Sequence, residues 1–134
     1  MSLNDISIKV ADLHSVGSVT ALLNEIATRL QRFLATGETV MIDLKGLPFA
    51  PAEYEGLRAA LGRGEVSARL DTIGDSEAYE TQFPGVWWVT HHNVEGDIVA
   101  DLIEIAAVPA ILPSQPEDVR DGLTRLQERL ANSK

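Results

Sequence analysis

Glu65–Val108 reads EVSARLDTIGDSEAYETQFPGVWWVTHHNVEGDIVADLIEIAAV, and its period decides the fold. Val66, Ala68, Leu70 and Thr72 alternate with Ser67, Arg69 and Asp71, the two-residue repeat of a half-buried strand. Three more strand-like runs follow, Glu77–Phe83, Val86–His92 and Asp97–Val108, separated by Gly74-Asp75, by Pro84-Gly85 and by Asn93-Val94-Glu95-Gly96. Connections this short join antiparallel neighbours, so the stretch predicts a four-stranded meander.

Upstream, Val19, Leu22, Leu23, Ile26, Ala27, Leu30, Phe33 and Leu34 recur at three- and four-residue spacing. That stripe predicts an amphipathic helix over Ser18–Leu34, capped by Ser15 or Ser18 and closed at Gly37. Thr39–Leu44 is a short apolar run of the kind that becomes a strand buried on both faces. Pro51 followed by Glu53 suits a helix start, with the helix ending near Leu61 at Gly62. Downstream, Pro109, Pro113 and Pro116 mark an irregular crossing, and Pro116–Ala131 forms a last helix with Val119, Leu123, Leu126 and Leu130 as its expected buried stripe. The expected order is α-β-α-β-β-β-β-α. It makes an α+β fold with an antiparallel sheet of four or five strands and helices packed largely on one face.

At 134 residues the chain suits one domain spanning 1–134. Its net charge of −9 repels phosphate backbones and anionic headgroups, which argues against nucleic-acid and membrane-surface partners. No apolar run approaches the roughly 20 residues needed to cross a bilayer, and the opening MSLNDISIKV has no basic and apolar leader pattern. A cytoplasmic location is the expectation. The absence of cysteine removes disulfides, thiolate metal sites and thiol nucleophiles together. Ser67, Ser76 and Thr81 lie outside any G-x-S-x-G elbow, and no glycine-rich phosphate loop precedes a helix. No enzyme chemistry and no cofactor is expected.

Three features point to function. Between Arg69 and Arg120 there is no lysine or arginine, while Asp71, Asp75, Glu77, Glu80, Glu95, Asp97, Asp101, Glu104, Glu117 and Asp118 all fall there. The stretch reads as a solvated acidic face or as a landing surface for a basic partner segment. Trp87 and Trp88 are adjacent on a strand and so point to opposite faces. Either both are core, or one is an exposed aromatic anchor at an interface. His91-His92-Asn93 lies near Glu80 and Glu104 if the meander pairs as expected. His91, His92 and Glu104 offer an alternative metal or small-ligand site, against which stands the divergence of neighbouring strand positions.

Leu61-Gly62-Arg63-Gly64-Glu65-Val66-Ser67, Glu80-Thr81, Phe83-Pro84-Gly85-Val86-Trp87-Trp88-Val89, His91-His92-Asn93 and Ile103-Glu104-Ile105 with Val108-Pro109 together resemble the C-terminal domain of hydrogenase expression proteins of the HupH and HyaF type. Ile42-Asp43-Leu44 with Leu47-Pro48 is similar to that family's pattern as well. The resemblance implies an accessory, chaperone-like role in maturing an uptake NiFe hydrogenase. It names the Fe–S small subunit, or another accessory protein of the same system, as partner. Joined to the acidic stretch, it marks Glu65, Glu77, Glu80, Pro84, Gly85, Trp87, Trp88, His91, Asn93 and Glu104 as the partner-binding set. A structural homodimer through the same aromatic surface is the alternative assembly.

Overall fold

Each periodic segment becomes the element its period predicts in the computed structural model, which describes residues 15–133. The opening stretch read for a leader, and His14, lie outside the described residues. Helix α1 spans Ser15–Thr36 and stops at Gly37, whose φ of 78° lets its N–H reach the Phe33 carbonyl at 2.8 Å. Strand β1 is Val40–Asp43; the Asp43 carboxylate accepts the Lys45 N–H at 3.0 Å and starts a 3-10 turn over Leu44–Gly46. Helix α2, Pro51–Leu61, begins on proline, and the Glu53 carboxylate turns back to accept the Ala50 N–H at 2.9 Å. The meander follows as β2 (Ser67–Leu70), β3 (Ser76–Glu80), β4 (Val86–His92) and β5 (Ile98–Ile105), and helix α3 covers Pro116–Ala131.

The five strands form one antiparallel sheet in the order β1-β5-β4-β3-β2. β1 returns to the outer side of β5, with Ile42 opposite Ile103. It is therefore an edge strand with one covered face: Ile42 is buried while Met41 and Asp43 are exposed. The expectation of burial on both faces is corrected here, because an apolar run this short carries no record of what lies beyond it.

Helices α1 and α2 pack on one face of the sheet, over Leu22, Ile26, Leu44, Leu57, Leu61, Tyr79, Val86, Trp88, Ile103 and Ile105. A smaller cluster of Ala78, Trp87 and Val89 occupies the other face under Leu102 and Ile111. Helix α3 departs from expectation. It buries no residue, and Val119, Leu123, Leu126 and Leu130 stand 55–64 % exposed. Periodicity shows that a helix has an apolar face; it does not say that the same chain covers it.

Candidate protein-docking site

β3 and β4 are joined by Thr81–Gly85, and the sequence dictates how tightly. The Thr81 hydroxyl accepts the Phe83 N–H at 3.1 Å, the Val86 N–H closes on the Phe83 carbonyl at 2.9 Å, and Gly85 takes a φ of 90°. A Cβ on Gly85 would lie 3.2 Å from Leu30 of α1, so the corner is braced from below. Alongside it, the Gly64 N–H bonds to the Glu80 carbonyl at 2.7 Å and the Glu80 N–H to the Val66 carbonyl at 2.8 Å. A Cβ on Gly64 would meet the Thr81 carbonyl at 2.5 Å, which is why glycine sits where the two backbones touch. The result is a stiff corner with a cleft of about 460 Å³ lined in part by Arg63, Glu65, Val66, Glu80, Gln82 and Pro84. Phe83 and Val66 stand about half exposed beside it, at 47 % and 48 %. Phe83 and Val66 thus form an apolar edge flanked by the Glu65 and Glu80 carboxylates on a hydrogen-bonded backbone.

The structure brings Glu65, Glu80, Pro84 and Gly85 of the predicted set together at this corner. It separates the rest. Trp87 and Trp88 are 4 % and 1 % exposed, so neither indole is a surface anchor, and the homodimer through an aromatic surface loses its surface. Trp87 Nε1 donates to the Ala106 carbonyl at 3.1 Å; Trp88 Nε1 donates to the Asp101 carboxylate at 2.6 Å. Glu104 is buried and accepts the Ala110 N–H at 2.9 Å, which ties down the segment that covers Trp87. Asn93 accepts the Glu95 and Asp97 N–H groups and shapes the β4–β5 turn.

The acidic stretch divides as well. Asp101 and Glu104 are interior. Asp71, Asp75, Glu77, Glu95 and Asp97 lie in or beside the β2–β3 and β4–β5 loops, at the end of the sheet opposite the Phe83 corner. Arg69 neutralises part of that end, reaching Asp75 at 2.6 Å and Asp71 at 3.5 Å. Charge and aromatic character therefore do not form the single face expected from the sequence.

His91 and His92 each already have a partner: His91 Nδ1 meets the Ser76 hydroxyl at 2.7 Å, and His92 Nδ1 lies 3.2 Å from the Asp75 carbonyl. Glu104 opposes Trp87, four positions along β4 from His91, or about 13 Å at strand rise. The three cannot share an ion, and no group of metal-ligating side chains occurs among the described residues.

Sequence reasoning missed the polar and aromatic stack under the helices. Arg58 sits 4.4 Å over the Trp88 ring, Tyr79 lies parallel to Trp88 at 6.2 Å, and Arg63 caps Tyr79 at 3.9 Å. Asp101 receives Trp88 and Thr90 at one end of it. The available signal was Asp101 itself, one of two charges, with Glu104, inside the otherwise apolar run Ile98–Ile105. Burial pushes the Tyr79 hydroxyl above its ordinary pKa, and burial with the nearby Asp101 and Asp43 charges does the same for Tyr54.

Residues 16–133 match the family model described as HupH hydrogenase expression protein, C-terminal conserved region. The chain belongs to this family. The solved structure of the hydrogenase expression protein HupH from Thiobacillus denitrificans superimposes with a TM-score of 0.84 at 45% identity, covering 87% of this chain and 97% of that one. Among curated relatives, the hydrogenase expression/formation protein HoxQ of Cupriavidus necator is 27% identical over 115 residues, 86% of this chain and 41% of its own length. The hydrogenase-1 operon protein HyaF of Escherichia coli is 30% identical, over 85% of this chain and 45% of its own length. The chain thus spans less than half the length of these two relatives. The family description and these relatives are all named for hydrogenase expression, formation or a hydrogenase operon. None of its described helices is long and apolar enough to cross a membrane.

Proposed function

We propose that this HupH-type domain is a non-catalytic, chaperone-like factor that holds the Fe–S small subunit of an uptake NiFe hydrogenase, or another maturation factor, in the cytoplasm. The observation that carries the reading is the Phe83–Pro84 corner: exposed apolar side chains on a braced turn, with Glu65 and Glu80 beside them. A chain without cysteine has no thiolates to carry or insert a cluster. Its service to an Fe–S client is shielding, positioning or delaying export.

Mixing the purified domain with small-subunit precursor is expected to give a complex on a sizing column at moderate salt. Glu80→Lys slows association more than dissociation, because it reverses a steering charge at the contact. Glu77→Lys, at the far end of the sheet, has a smaller effect. Absence of a complex at every salt concentration refutes the client, and equal effects of the two reversals refute the corner.

A further inference from the structure

Helix α3 carries its apolar residues at 119, 123, 126 and 130, a spacing of four, three and four. This is the strict alternation of a coiled-coil seam, narrower than the stripe of a helix packed on a globular core. All four side chains are more than half exposed, and the helix buries no residue of its own. The seam is self-complementary. Turned antiparallel about a two-fold axis between Leu123 and Leu126, a second copy sets Val119 against Leu130 and Leu123 against Leu126.

Charge selects the same arrangement. The first turn carries Glu117 and Asp118, and the last turn carries Arg129. The antiparallel mate brings each acidic end within a turn of the other copy's Arg129 and aligns the helix dipoles favourably. Arg120 and the second copy's Arg129 fall on opposite flanks of the seam, so the pair contains no direct like-charge contact. A parallel pair would stack acid on acid and base on base.

From this self-complementarity we infer that α3 is a dimerisation helix, pairing antiparallel with the α3 of a second copy of this chain. The inference uses none of the residues of the Phe83 corner and stands or falls separately from the proposed client.

Light scattering over a wide concentration range tests it, with a rise from 14.5 kDa toward twice that mass expected. Leu123→Asp with Leu126→Asp changes four seam positions in the dimer and is expected to weaken association by roughly a hundredfold or more. Circular dichroism checks that the domain stays folded, as expected when the substituted helix has no buried residue. The chain has no cysteine, so orientation is read by disulfide trapping. Leu123→Cys mixed with Leu126→Cys is expected to cross-link, and each alone far less. A monomer at every concentration, or efficient cross-linking of Leu123→Cys with itself, overturns the inference.

Discussion

Replacing Trp88 with phenylalanine tests how the helix-covered face is held. The change deletes the Nε1 donor that reaches Asp101 at 2.6 Å, in a place where the carboxylate is 4 % exposed and the ring 1 %. A hydrogen bond to a charged acceptor contributes about 1.5–3 kcal/mol, and the acceptor left behind is buried. The smaller ring also weakens the contact with Arg58, now 4.4 Å from the indole, and leaves a void; these add about 1–2 kcal/mol together. The total is about 2.5–5 kcal/mol, a large part of the stability of an ordinary domain. Trp87→Phe provides the control. It loses a bond of 3.1 Å to the neutral Ala106 carbonyl, so its cost is about 2 kcal/mol. Urea unfolding followed by far-ultraviolet circular dichroism measures both, since fluorescence changes with either substitution. Trp88→Phe costing no more than Trp87→Phe would refute the assignment of Asp101 as the polar anchor of the core.

Three further outcomes follow from named contacts. Gly64→Ala drives a Cβ onto the Thr81 carbonyl and is expected to cost about 1–3 kcal/mol, read as a lower urea midpoint. Arg29→Ala leaves Glu25, 2 % exposed and now bonded to Arg29 at 2.8 Å, as an unpaired buried carboxylate, at a cost of about 3–5 kcal/mol by the same measurement. Both tyrosines of the chain have pKa values raised above 10.0 by burial. The unfolded chain therefore releases these protons first, so stability is intact below pH 10 and falls as pH rises through the folded-state values. Absorbance at the tyrosinate band, followed with pH, shows both midpoints above that of a model tyrosine; an ordinary midpoint for Tyr79 contradicts its burial against Trp88.

The fold was legible because its signals are local. Alternation from Val66 to Asp71, the short connections at Pro84-Gly85 and Asn93–Gly96, and the α1 stripe each name an element without knowledge of its neighbours. Alternation also put Trp87 and Trp88 on opposite faces. What it could not show was the cover over Trp87, which comes from Ile111 and the Ala106 carbonyl in a segment with no period of its own. The same limit explains α3, whose stripe was plain but whose burial required a partner surface that none of the other described residues supplies. Four of the ten predicted site residues converge on the corner because the GEVS and FPG segments become backbone neighbours through Gly64 and Glu80. The acidic loops ended at the other end of the sheet because each strand carries the chain across to the opposite end before the next turn reverses it, so successive loops alternate between ends.

The most direct test of the account is co-purification from cells expressing a hydrogenase operon, with the bound protein identified by mass spectrometry. The native domain is expected to carry the small subunit or a maturation factor of that operon, and a folded Phe83→Ser variant with Glu80→Lys is expected to lose it. A client retained undiminished by that variant, or no hydrogenase protein bound to the native domain, would contradict the claim that the Phe83–Pro84 corner is where this protein does its work.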